Sequence, residues 1–157
     1  MKGENQIADK SPRARVNAAR LVAATFGVLS GFGGIVHGLG EAVQGNVAPS
    51  GIIINSWTEG PIAKYMGGEP GMTVVPNLLA TGLLTIVVSL ALMVWSAAFV
   101  QKRNGGRAQI LLSITMLLVG GGFGPPIIGI LAGVAGLGIA SPQTWCRAHL
   151  PAVAGRP

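Results

Sequence analysis

His37 and Glu41 are the two residues whose types and spacing best suit proton chemistry. They stand four residues apart, so they share one face of a helix. An ionisable side chain within a membrane segment indicates function by default. The pair could relay a proton, or hold a divalent cation together with Glu59 or Glu69. The alternative is that both side chains lie at the outer membrane interface and meet water.

A stripe of small polar side chains recurs at intervals of four residues in a later apolar segment: Asn77, Thr81, Thr85 and Ser89. Such side chains hydrogen-bond between helices or back to their own carbonyls. The stripe is therefore either the lining of a polar path or ordinary helix packing. In the first case it would extend a proton or cation path that begins at His37 and Glu41.

Glycines form the clearest pattern in the first apolar segment and recur at GxxxG spacing later: Gly27, Gly31, Gly34 and Gly38, then Gly129 and Gly133. On a helix the first four fall within about 60° of one another. Small residues let membrane helices approach closely. We expect these glycines to pack helices together inside a bundle, and a dimer face or a substrate path is the alternative.

The sequence contains no strong catalytic or metal-binding set. It has no P-loop, GxSxG, HExxH or CxxC motif, and its one cysteine, Cys146, cannot form an internal disulfide. A zinc site needs about four ligands, and too few candidates are available. We expect the two histidines, His37 and His149, to lie on opposite membrane faces, which argues against a haem held by both. The sequence therefore predicts no catalytic residue, no metal and no cofactor.

Three long uncharged stretches must position these residues. Asp, Glu, Lys and Arg are absent from 21–40, from 70–101 and from 108–146, and charged residues make up only 10% of the chain. Soluble domains carry about 25% charged residues. One membrane crossing needs about 20 largely apolar residues. The pattern predicts an all-α fold, a polytopic transmembrane helical bundle.

The predicted organisation is a basic cytoplasmic tail at 1–20, a transmembrane bundle at 21–146 and a short cytoplasmic tail at 147–157. The bundle should contain four spans joined by one large outer loop: spans at about 21–40, 75–100, 108–123 and 126–145, and the loop at 41–74. Within that loop, the apolar run from Gly51 to Trp57 could be a strand, an interfacial turn or a plug over the bundle, since periodicity cannot decide so short a run.

The segment GGGFGPP, from Gly120 to Pro126, decides between four spans and three. A turn there gives four spans, whereas a kink in one long helix gives three. Adjacent prolines disfavour helix before them. Four spans also place ten of the eleven basic residues on the cytoplasmic side, with Lys64 as the exception. We therefore predict four spans with both termini inside, in a prokaryotic plasma membrane.

Two classes of function remain open at this stage. The basic residues behind the net charge of +6 lie between apolar stretches, so they indicate membrane orientation and not nucleic-acid binding. The expected partners are the lipid bilayer and either further copies of the chain or a larger membrane complex. The favoured class is a non-enzymatic accessory, scaffold or assembly component. The alternative is a small oligomeric transporter or channel-like protein that uses His37, Glu41 and the polar stripe.

Overall fold

The computed structural model describes residues 12–140, and within them the chain forms helices and one short two-stranded sheet. In chain order the elements are α1 Pro12–Val43, β1 Ile53–Asn55, α2 Gly60–Met66, β2 Pro70–Met72, α3 Leu78–Ala98, α4 Gly105–Leu118 and α5 Gly124–Ala140. The first part of the predicted basic tail, the end of the fourth predicted span, Cys146, and the predicted tail at 147–157 with His149 lie outside the described residues.

Two of the helices are long and apolar enough to cross a membrane: 26 residues of α1, Ala18–Val43, and the 21 residues of α3. Asn77 starts α3, because its side chain accepts a hydrogen bond from the backbone N–H of Ala80 at 3.0 Å. The helices α4 and α5 are apolar but have 14 and 17 residues. At 1.5 Å per residue they reach about 21 and 26 Å, short of a core of about 30 Å.

The chain turns between α4 and α5 and does not continue as one kinked helix. Residues 119–123, here called the glycine turn, separate the end of α4 from the start of α5. Gly120 and Gly122 have φ values of 115° and 73°, a conformation that side chains other than glycine rarely adopt. The two helices then run antiparallel, with Gly106 near the start of α4 packing against Gly133 and Gly136 of α5.

The glycine faces lie inside the bundle. Along α1 the glycines approach α3 so closely that a Cβ atom would collide with the neighbouring helix: Gly27 with Ser96, Gly31 with Met93, Gly34 with Ser89 and Gly38 with the backbone of Gly82. Gly129 meets Ser113 and Ser30 in the same way, and Gly133 meets Ile110. These surfaces are therefore occupied by contacts within one chain.

The segment between α1 and α3 folds back onto the end of the bundle. Strands β1 and β2 pair antiparallel, with Ile53 opposite Met72 and Asn55 opposite Pro70. The apolar run thus forms a strand at Ile53–Asn55. The backbone N–H of Val74 donates to the carbonyl of Leu118 at 3.0 Å, which attaches this segment to the end of α4, directly before the glycine turn.

In the described part of the chain many polar side chains are buried beside a few apolar ones, and many large apolar side chains are exposed. Hydroxyl, amide, imidazole and carboxyl groups are buried along the bundle: Ser30, His37, Glu41, Ser56, Thr73, Thr81, Thr85, Ser89, Ser96, Gln109 and Ser113. Large apolar side chains point outward instead, such as Phe32, Val87 and Leu131. A soluble domain rarely exposes so much contiguous apolar surface.

Candidate functional site

His37 and Glu41 lie near the end of α1, on the face that packs into the bundle. The side chain of Glu41 is fully buried, and His37 is 3% exposed. The structure therefore departs from the alternative in which both meet water at the interface. Burial of two ionisable groups is costly unless each has hydrogen-bond partners, so the neighbours of the pair decide what it can do.

Ser56 connects the two side chains. It follows β1 directly, and the hydrogen bond from Trp57 N–H to the carbonyl of Gly68 at 3.0 Å holds that position against the β2 side of the segment. Ser56 Oγ lies 2.8 Å from His37 Nδ1 and 3.0 Å from Glu41 Oε1. The serine is fully buried, so its hydroxyl can hydrogen-bond only to groups inside the protein.

Glu69 completes the chain of groups on its more exposed side. Its Oε2 atom lies 3.2 Å from His37 Nε2. Glu69 has a φ of 55° and follows Gly67 and Gly68, which also have positive φ. A non-glycine residue with positive φ is uncommon and often marks a functional site. This turn directs the carboxylate back towards the histidine.

These four residues form an unbroken hydrogen-bonded chain, here called the relay: Glu41, Ser56, His37 and Glu69. Its three contacts need three hydrogens, of which the hydroxyl supplies one and a neutral imidazole another. The third is an additional proton that resides on Glu41, His37 or Glu69. Transfer from Glu41 to His37 requires only that Ser56 accepts one proton and passes on another, so no heavy atom has to move.

Threonines surround the inner end of the relay. Thr85 Oγ1 lies 3.4 Å from Glu41 Oε2 and donates to the carbonyl of Val119 at 2.6 Å. Thr81 Oγ1 lies 3.1 Å from Thr73 Oγ1 and is buried in the same layer. The polar stripe of α3 therefore contributes Thr81 and Thr85 to the surroundings of Glu41.

The other two residues of the stripe lie away from the relay. Asn77 caps α3 and hydrogen-bonds to Asn46, near the surface. Ser89 lies one turn of helix deeper than Thr85, where its hydroxyl donates to Met116 Sδ at 3.1 Å. The predicted stripe is thus divided among a helix cap, the surroundings of the relay and a deeper position in the bundle.

The glycine turn covers the relay from the side of α4 and α5. A Cβ atom at Gly120 would collide with the carboxyl group of Glu41 and with Thr81, and one at Gly122 would collide with the ring of His37. Both positions combine this close approach with positive φ. Glycine is required here because it lets the backbone lie directly on the two ionisable side chains.

A divalent cation finds too few ligands at this position. Among residues 12–140 there is no group of three or more His, Cys, Asp or Glu side chains that could hold a metal. Glu59 is exposed at the start of α2. Of the two glutamates that the sequence offered as further ligands, only Glu69 contacts His37. This geometry suits a shared proton better than a metal ion.

Ser56, His37 and Glu69 are also the residue types of a hydrolytic triad. In such triads the serine must reach a substrate carbonyl. Here the serine is fully buried and its hydroxyl lies between Glu41 and His37. The arrangement presents no nucleophile to a substrate, whereas it connects two carboxyl groups through one ring.

No family model, curated protein or solved structure matches this chain. The functional assignment therefore depends on the geometry of the relay. Two of its members, His37 and Glu41, were candidate path residues from the sequence, and Glu69 was named there only as a cation ligand. Ser56 was missed, and its one signal was a hydroxyl residue within the apolar run from Gly51 to Trp57, directly after the part that forms β1.

Proposed function

We propose that this protein is a small multi-pass membrane protein that conducts protons through the relay. The observation that carries the proposal is the continuous series of contacts of 3.0, 2.8 and 3.2 Å from Glu41 through Ser56 and His37 to Glu69. All three lie within hydrogen-bonding distance. Chains of Glu, His and similar groups within membrane segments mark proton relays in pumps and transporters.

The proposed placement has four spans, with both termini on the cytoplasmic side of a prokaryotic plasma membrane. Two helices of spanning length and an apolar outer surface support a membrane environment. For α4 and α5 to cross as well, the bilayer must thin locally around them. The relay then lies at the outer end of the bundle, because α1 begins inside and ends at Val43.

Buried polar groups continue from the relay towards the inner end of the bundle. Ser30 lies eleven positions before Glu41 on α1, which corresponds to about 16 Å of helix, and it is buried beside Ser113 and Gly129. Deeper still, Ser96 Oγ and Gln109 Oε1 are buried without a hydrogen-bond partner among the described residues. These groups are candidate stations for water along a path across the membrane.

The scaffold class was favoured from the sequence because of its glycine faces. In the structure those faces pack inside a single chain, so they offer little surface for self-association. The relay, by contrast, buries His37, Glu41 and Ser56 beside a partly exposed Glu69, an arrangement that packing alone does not require. We therefore favour the transporter or channel-like class.

Proton flux into lipid vesicles tests this function. Purified protein in vesicles containing a pH-sensitive dye is driven by a potassium diffusion potential. We expect His37→Ala and Glu41→Gln each to reduce the flux at least about tenfold, which corresponds to about 1.4 kcal/mol in the barrier. Alanine removes the ring, and an amide in place of Glu41 cannot accept and release the proton.

Glu59→Gln is the matched control, because Glu59 is exposed and outside the relay. It should leave the flux unchanged. All variants are first compared with the wild type by circular dichroism and gel filtration. Wild-type flux no greater than that of protein-free vesicles, or full flux in both relay variants, would refute the proposal.

A further inference from the structure

The hydroxyl group of Thr85 lies between two acceptors that belong to different parts of the molecule. Val119 O is 2.6 Å away and Glu41 Oε2 is 3.4 Å away. A threonine hydroxyl has a single hydrogen to donate. In this structure the shorter contact takes that hydrogen, so the Glu41 contact is the weaker of the two.

The balance between the two acceptors depends on the charge of Glu41. A hydrogen bond to an ionised carboxylate is about twice as strong as one between neutral groups. A neutral Glu41 therefore leaves the Thr85 hydrogen on Val119, as observed. An ionised Glu41 competes for the same hydrogen and draws it away from the backbone carbonyl.

Val119 is the first residue of the glycine turn that covers the relay. Beyond the Thr85 bond, this end of the turn is held by a bridge between Val119 and Thr73 and by the Val74 N–H bond to Leu118. The turn continues through Gly120 and lies against Glu41. Loss of the Thr85 bond would therefore loosen the Val119 end of the cover, next to the group whose proton was lost, while the Thr73 and Val74 contacts remain.

We propose that Thr85 is a positioning residue that couples the proton on Glu41 to the glycine turn. With the proton present, Thr85 holds Val119 and the turn stays closed over the relay. When the proton leaves, the hydroxyl rotates towards Glu41 and the Val119 end of the turn is loosened. This inference rests on the proposed proton function and adds a gate to it.

Few other ionisable groups face Glu41 within the described residues. On its own helix His37 is linked to it through Ser56, and Glu69 reaches it only through His37. From α3 and the glycine turn the facing groups are hydroxyls and backbone. A pH-dependent change at Val119 would therefore report on the relay and not on a separate charged cluster.

One isotope-labelled pair allows the coupling to be measured. Val119–Gly120 is the only Val-Gly pair in the chain, so carbonyl-¹³C valine with ¹⁵N glycine gives a single two-spin NMR signal from this peptide bond. Its carbonyl shift depends on whether Thr85 donates to Val119. The full-length protein in lipid is titrated from acid to alkaline pH and the signal is followed.

In the wild type we expect the Val119 carbonyl to move from the bonded to the unbonded position as pH rises. Glu41→Gln should keep it in the bonded position throughout. Thr85→Val should hold it in the unbonded position at every pH, and Thr85→Ser should restore the wild-type titration.

A wild-type signal that is constant with pH, or one that still titrates in Thr85→Val, would overturn the coupling. The result is separable from that of the proton function, because the signal does not depend on transmembrane flux. Coupling without flux would reject the proposed function alone, and flux without coupling would reject the gate alone.

Discussion

His37 Nε2 lies 3.2 Å from Glu69 Oε2, and this contact joins a buried ring to a carboxylate that reaches the surface. The side chain of His37 is 4% exposed, whereas that of Glu69 is 26% exposed. Glu69 is thus the member of the relay that water can reach directly. In the proposed orientation and function, protons arriving from outside would meet it first.

Replacement of Glu69 tests this point of access. Glu69→Gln keeps the shape of the side chain but removes the group that accepts a proton. We expect proton flux in vesicles to fall about tenfold, or about 1.4 kcal/mol in the barrier. Glu69→Asp should recover part of the flux. Equal flux in Glu69→Gln and the wild type would mean that protons reach His37 by another route.

Gly120 should be much less tolerant of alanine than Gly45. Both have positive φ, but a Cβ atom at Gly45 meets nothing within 4 Å, whereas one at Gly120 meets Glu41 and Thr81. Gly45→Ala should cost about 1–2 kcal/mol from backbone strain alone. Gly120→Ala should cost a further 1–3 kcal/mol or so from overpacking. Unfolding in detergent measures both, and equal losses would contradict the close approach of the glycine turn.

Helix packing along α1 predicts a sharp difference between two glycines. At Gly34 a side chain would collide with Ser89 and Met116, whereas at Gly138 it meets open space. Gly34→Leu should force α1 away from α3 and destabilise the protein by about 1–3 kcal/mol or more. Gly138→Leu should have little effect. Thermal unfolding of the two variants measures this difference in stability. A Gly34→Leu protein as stable as the wild type would argue against this packing.

The number of spans can be tested by fusion. Four spans with the N-terminus inside return the chain to the cytoplasm, so a reporter active only there should work when attached after Pro157. The same reporter attached after Ser50, in the outer segment, should be inactive. Activity after Ser50, or none after Pro157, would show that the chain has a different topology.

Parts of this site were predictable because they depend on local geometry. His37 and Glu41 are one helical turn apart, so the sequence alone predicts that they share a face. Adjacent prolines predicted a break in the helix before Pro126, and α4 does end at Leu118. The glycine spacing on α1 likewise predicted a close-packed face.

The rest of the site depends on pairing between distant residues. Ser56 is 19 positions from His37, and only the pairing of β1 with β2 brings it and Glu69 to the same ring. Such a short hairpin leaves little local signal. The sequence also could not show that Gly120 and Gly122 lie on the relay, because that contact follows from how α4 and α5 pack.

Ser56→Ala tests the central claim most directly, because it removes a single oxygen from the middle of the relay and leaves both ionisable partners in place. Ser50→Ala is the control, since Ser50 is exposed in the same segment. We predict that Ser56→Ala lowers proton flux in vesicles at least about tenfold, while Ser50→Ala matches the wild type. Wild-type flux through a folded Ser56→Ala protein would contradict the relay.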